Sequence, residues 1–174
     1  GRVAAGAVAE KLIGLAGMEV LAYTRAIGGI EVNYDKMPKG GTLRRKVRSN
    51  LLFCPDEEAA QDMEKKLAAV RNEGDTLGGV VEVVVRSCPA GLGEPVFEKM
   101  DAVLAAALMS IGSVKAVEIG DGFAVAERRG SEVNDQMGKK GFLSNHAGGI
   151  LAGITSGEEI IVRVYCKPIP SIAQ

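Results

Sequence analysis

One stretch, Leu77 to Gly122, constrains the fold more than any other. It reads strand, glycine loop, helix, strand: LGGVVEVVVRS is a β-branched run, CPAGLGE a tight loop, PVFEKMDAVLAAALMSIG an apolar helix and SVKAVEIGDG a second strand with a glycine exit. Within VVEVVVR, Val81, Val83 and Val85 alternate with Glu82 and Val84, which predicts a strand partly open to water on one face. Pro95 is placed to serve as the first residue of the helix, where its missing N–H costs nothing. Val96, Phe97, Met100, Val103, Leu104, Ala107, Leu108 and Ile111 then recur at helical spacing, opposite a face of small alanines, so the helix is expected to be packed on both sides.

An earlier segment has the same character. Residues 3 to 16 carry apolar side chains around most of the circumference, with only Glu10 and Lys11 charged, and Gly17 is the expected C-cap. MEVLAYTRAIGGIEV follows as strand. The two helix–strand units share an Ile-Gly exit, a faint internal echo that points to helices held between sheets. The expected fold is therefore α+β, a sandwich with helices packed between largely antiparallel β-sheets. At 174 residues and 47% hydrophobic, one domain spanning residues 1–174 is the default.

The remaining segments are more local in meaning. Thr42 is the expected N-cap of a short helix, and Asp56 that of a longer one over residues 57 to 72, with Glu57 and Glu58 favourably placed against its dipole. Ala59, Ala60, Met63, Leu67 and Val70 form a single stripe, which makes this a surface helix. FAVAERRGSEVNDQMGKK predicts a short helix and a loop. SNHAGGILAGITSGEEIIVRVYCKP predicts a hairpin, with Gly148 to Ile154 as one strand, Thr155 to Glu158 as the turn and Ile160 to Cys166 as the other strand.

Charge and composition exclude several functions. A net charge of -1, from 21 basic and 22 acidic residues, offers no overall attraction to nucleic acid or to an anionic membrane, and no apolar run is long enough to span a bilayer. Cys54, Cys88 and Cys166 are odd in number and widely spaced, which suggests neither a disulfide framework nor a zinc cluster and fits a reducing cytoplasm. The start GRVAAGAVAEKL, without Met, and the end KPIPSIAQ suggest a fragment.

No reaction can be named from these residues alone. Gly91-Leu-Gly93 and Gly120-Asp-Gly122 lack the third glycine of a dinucleotide fingerprint, so turn and close-packing roles are favoured, although amides opening a helix also suit an anion. The basic cluster Lys36, Lys39, Arg44, Arg45, Lys46 and Arg48 lacks interleaved aromatics; a solvated helix face is favoured, with an anionic ligand or an acidic subunit as the alternative. His146, the single histidine, has no carboxylate or cysteine at ligand spacing and is assigned a hydrogen-bonding role; the serines have no histidine-rich partner set for a triad.

Eight segments, in order, resemble the chorismate synthases: RVAAGAVAEKL, CPDEEAA, GDTLGGVVEVV, PAGLGEPVFEKMDAVLAAALMSI, VKAVEIGDGF, RGSEVND, SNHAGGILAGITSG and KP-x-x-SI. The resemblance implies a carbon–oxygen lyase of the shikimate pathway to aromatic amino acids. Its reaction is an anti-1,4-elimination of phosphate from 5-enolpyruvylshikimate 3-phosphate to give chorismate. It also implies reduced FMN as cofactor, NADPH as reductant in members that reduce their own flavin, and a cytoplasmic homotetramer. Carried over by motif, the flavin-contacting positions are Gly112 and Ser113, Ala152, and Lys167, Pro168, Ile169, Pro170 and Ser171.

Two of these depart from the family pattern. Ala152 stands where glycine is usual, and Ile169 and Pro170 cannot supply the hydroxyl donors common there. The family's N-terminal histidine and arginine motifs and its R-H-D-P-C motif match no position in these residues, so no catalytic residue is carried over and the chain alone is expected to be inactive. A folding and oligomerisation scaffold, or a phosphate-ligand binding module, is the alternative.

Overall fold

The computed structural model describes residues 1–38, 41–139 and 141–172. In chain order the elements are α1 (Arg2–Leu15), β1 (Glu19–Ile27), β2 (Ile30–Glu31), α2 (Thr42–Val47), α3 (Glu57–Asn72), β3 (Gly79–Arg86), α4 (Met100–Met109), β4 (Val114–Ile119), α5 (Gly130–Val133), β5 (Met137–Gly138), β6 (Gly141–Phe142), β7 (Ile150–Leu151), β8 (Ile154–Thr155) and β9 (Ile160–Cys166). Single 3-10 turns occur at Tyr34–Lys36 and Gly122–Glu127. Five strands form one sheet in the order β2-β1-β3-β9-β4, and two antiparallel ribbons, β5-β6 and β7-β8, stand apart from it. The class is α+β, as expected.

The chain groups into two compact units. One comprises Gly1–Leu21, Val83–Leu108 and Glu118–Val162; the other comprises Ala22–Glu82, Met109–Val117 and Arg163–Gln174.

In the second unit, β1 and β2 form a hairpin turned by Gly28 and Gly29, both with positive φ, where the sequence pattern suggests one continuous strand. Helix α3 spans the expected residues. The Asp56 carboxylate accepts the N–H groups of Glu58 and Ala59 and also that of Asn33. Burial raises the Asp56 pKa, but these amide bonds outweigh it and hold the carboxyl below its usual range. The buried face of α3, Ala59, Ala60 and Met63, packs with Val32 and Cys54 into a small core. Helix α2 starts one residue earlier than expected: Gly41 is the N-cap and Thr42 the first helical residue. The basic cluster is partly offset by acid, since Lys46 of α2 pairs with Glu57, and Lys36 before it pairs with Glu58. Lys39 and Gly40 lie outside the described residues.

The polarity of β3 is the reverse of its expected reading. Glu82 and Val84 are the buried positions, and Glu82 is only 3% exposed. Its carboxylate accepts the hydroxyls of Tyr23 and Tyr34 and the Nε–H of Arg163 at 2.7 Å. Arg25 donates from Nε to the Tyr34 hydroxyl at 2.9 Å and lies 4.4 Å from its ring centre. A charged residue on an alternating strand normally marks the solvent face; here three donors replace water. Burial and the adjacent carboxylate push both tyrosine hydroxyls above their ordinary pKa, so they stay protonated as donors.

In the first unit, α1 and α4 form, and Gly17 closes α1 at φ 77. Neither helix has a buried residue: Val3 and Leu15 of α1 are 88% and 87% exposed. The expected burial on more than one side is therefore not met within the described residues, because apolar periodicity shows that a helix needs cover without specifying what supplies it. Helix α4 begins at Met100, so Pro95 is not its first residue. The Glu94 N–H donates to the Glu98 carbonyl and the Met100 N–H to the Gly153 carbonyl, and these bonds turn the chain before the helix starts. Gly93 has no room for a side chain, since a Cβ would sit 2.2 Å from that same Gly153 carbonyl, and the close-packing role expected of the loop glycines holds there.

Replacing Glu82 with Ala leaves the Arg163 guanidinium without its buried carboxylate and is expected to destabilise the chain by about 3–5 kcal/mol. Urea unfolding measures this; a loss under about 1 kcal/mol would show that the buried network is dispensable.

Candidate functional site

Three stretches carry the residues assigned by motif, and they fall differently in the fold. Gly112 and Ser113 are exposed in the turn between α4 and β4, with Ser113 in the left-handed region at φ 71. Residues 167–171 are the exposed segment leaving β9. These two stretches, both in the second unit, are joined: the Lys167 N–H donates to the Ser113 carbonyl at 2.9 Å. The Ser113 carbonyl is therefore occupied, and it sets the starting point of the lysine segment.

Ala152 lies in the first unit. The expected long strand from Gly148 to Ile154 is instead the short hairpin β7–β8, and Ala152 and Gly153 are its two turn residues, with φ 52 and 84. Two successive positive φ values are the signature of a tight hairpin turn whose twist matches that of its strands. The Leu-Ala-Gly-Ile sequence hid this because alanine is a poor marker of such a turn. The glycine usual in the family at this position has a physical reason: an L-side chain with positive φ is strained. Thr155 of β8 fixes the hairpin to the glycine loop, donating to the Pro89 carbonyl and accepting the Leu92 N–H.

His146 takes the hydrogen-bonding role expected of it. Its Nδ1 lies 2.7 Å from Asp121 Oδ2, which also accepts Arg128. The Asp135 carboxylate accepts the Ser144 hydroxyl and the His146 and Ala147 N–H groups, tying down the approach to β7. Burial raises the Asp135 pKa, but these donors outweigh it and hold the carboxyl below the usual range. No local pattern marks Asp121 or Asp135, because His146 lies 25 residues from Asp121 and the partners of Asp135 lie 9 to 12 residues away. Among the described residues no group of three or more His, Cys, Asp or Glu could hold a metal ion, and no helix is long and apolar enough to cross a membrane. The described cysteines are unpaired.

The Lys167–Ser113 pairing offers donors to an anionic ligand: an exposed ammonium, an exposed serine hydroxyl and a glycine backbone without side-chain cover at position 112. The chorismate synthase family profile matches residues 1–174, and the chain belongs to that family. It is 60% identical over 173 residues to the chorismate synthase of Syntrophus aciditrophicus, an alignment covering 99% of this chain and 48% of that protein. It is 53% identical to the chorismate synthase of Syntrophobacter fumaroxidans, covering 99% of this chain and 47% of that one. A crystal structure titled as chorismate synthase superposes with a TM-score of 0.88 at 36% identity, covering 97% of this chain and 55% of its own. The chain thus spans about half the length of the curated relatives it matches.

Ala152→Gly relieves a left-handed alanine and is expected to raise the melting temperature by about 2 °C, after allowance for the flexibility of glycine in the unfolded chain. An unchanged or lower value in differential scanning calorimetry would show that the turn is not strained.

Proposed function

We propose that this chain serves the chorismate synthase reaction, the anti-1,4-elimination of phosphate from 5-enolpyruvylshikimate 3-phosphate to give chorismate, with reduced FMN as cofactor. The observation that carries this reading is the family match over the full chain, together with the backbone bond that joins two of the motif-assigned stretches. The cytoplasm, a homotetrameric parent and NADPH as the possible electron source belong to the same reading.

The donors present suit a flavin mononucleotide. Lys167 would pair with its phosphate or hydrogen-bond a ring carbonyl, and the Ser113 and Ser171 side chains and the backbone at Gly112 would supply further contacts. Ile169 and Pro170 add no side-chain donor, so position 169 would contribute through its main chain and position 170 through shape. Ala152 belongs to the same proposed set. When bound, reduced flavin would lend an electron to the substrate as the C–O bond to phosphate breaks and recover it as the C6 hydrogen is lost; the protein's part would be binding, orientation and exclusion of water.

No catalytic acid or base is assigned within these residues, so the proposed role is that of scaffold and partial cofactor site. A non-catalytic folding and assembly role is the second reading, favoured by the exposed apolar side chains of α1. Flavin titration separates the two. Quenching of FMN fluorescence by the 174-residue chain is expected to saturate weakly, and Lys167→Ala to weaken it about tenfold, the loss of one charge-assisted hydrogen bond. Absence of quenching favours the assembly role.

Activity is tested by exchange. Replacing the matched segment of the Syntrophus aciditrophicus chorismate synthase with these 174 residues is expected to yield an enzyme that forms chorismate with reduced FMN, whereas the 174-residue chain alone forms none. A folded chimera without turnover, or turnover by the chain alone, would overturn the assignment.

A further inference from the structure

Beyond β9 the chain has little to hold it. Pro168 and Pro170 lack N–H groups, so between Cys166 and Ser171 only Lys167 and Ile169 have amide hydrogens. Yet the segment is anchored from one direction. The Thr76 hydroxyl donates to the Ile169 carbonyl at 2.7 Å, across 93 positions of sequence. Two residues on, Gly78 runs so close to the segment that a Cβ there would sit 2.7 Å from the Cys166 carbonyl oxygen and 3.1 Å from Cδ of Pro168.

Residues 75–78 are themselves fixed. The Asp75 side chain accepts the Thr76 N–H at 2.7 Å, and the Gly78 carbonyl accepts the Gly28 N–H at 3.0 Å. All of these groups lie in the second unit.

We infer that Thr76 is a positioning residue for the segment Lys167–Ser171, with Gly78 providing the clearance that lets the two stretches lie together. The inference deepens the flavin reading of that segment and rests on it for its functional consequence. The Lys167 N–H bond to Ser113 fixes the start of the segment, and the Thr76 bond fixes its middle. Between these two points the backbone is stiffened by Pro168, and Pro170 biases residue 169 toward an extended conformation. The Lys167 side chain thus projects from the first of these two anchor points. The β-branch of Thr76 restricts χ1 and keeps its hydroxyl aimed, a restraint that a serine lacks although it has the same donor.

The bond is exposed, so water can replace it when the hydroxyl is lost. Thr76 therefore controls the order of the segment more than the stability of the fold. This separates positioning from folding in the experiment. Thr76→Val keeps the shape and removes the donor; Thr76→Ser keeps the donor.

Amide hydrogen exchange in the 174-residue chain should accelerate about fivefold at Lys167, whose N–H is bonded to Ser113, in Thr76→Val, while Val83 and Val162 exchange as before, and Thr76→Ser should stay within about twofold of the parent. Unchanged exchange at Lys167 would overturn the positioning role, whether or not flavin binds. FMN fluorescence titration then reads the functional consequence: affinity about fivefold weaker in Thr76→Val and recovered in Thr76→Ser. Equal affinity in both variants would overturn the link to the cofactor. If the parent chain binds no FMN, the flavin reading fails, and the exchange data still decide the role of Thr76. Gly78→Ala should accelerate the Lys167 amide more strongly; slow exchange there would refute the clearance argument.

Discussion

The second unit depends on a buried carboxylate. Glu82 sits on a strand whose other residues are almost all valine, and an unpaired carboxylate there would cost several kcal/mol of desolvation. It is tolerated because Tyr23 on β1, Tyr34 in the turn after β2 and Arg163 on β9 all donate to it. Each donor comes from a separate stretch of sequence, so the network specifies register as well as neutralising a charge. Burial works against the Arg163 cation, but Tyr34 and Glu82 outweigh it and hold the guanidinium more firmly protonated than usual. Four residues beyond Arg163, just past the end of the same strand, the lysine segment begins. The proposed cofactor site is thus reached along a strand already pinned by the carboxylate.

The same economy of anchors recurs at the edges. Beyond β9, where the strand ladder ends and prolines remove donors, the chain is held by one backbone bond to Ser113 and one side-chain bond from Thr76. In the first unit, Asp135 and Asp121 take over where no strand is available, fixing the backbone around His146 before the β7–β8 hairpin. In both places, loop conformation is determined by a few charge-assisted or side-chain bonds between distant stretches. The core itself contributes little there.

The apolar helices make a different point. Helix α1 has a composition suited to burial, and its side chains are exposed. The chain spans about half of its curated relatives, so the hydrophobic surface seen here is that of half a family member's length. Area left in contact with water at this scale is a strong driving force for association with whatever covers it.

Much of the local structure was legible in the residues. Asp56 followed by two glutamates marked the start of α3, Gly17 the end of α1, and the valine run β3, because caps and periodicity act over a few residues. Motif order was enough to point to the chorismate synthases. The start of α4, the Ala152–Gly153 turn and the burial of Glu82 were decided by tertiary structure. In each case a distant partner outweighs the local preference: the Gly153 carbonyl takes the Met100 amide, the hairpin drives alanine to positive φ, and two tyrosines with an arginine replace the water that a strand glutamate would otherwise keep. Sequence alone determined the main helices and long strands and pointed to the family; only the fold decided which face of β3 is inside and what holds the lysine segment, because both depend on hydrogen-bond donors brought together from separate parts of the chain.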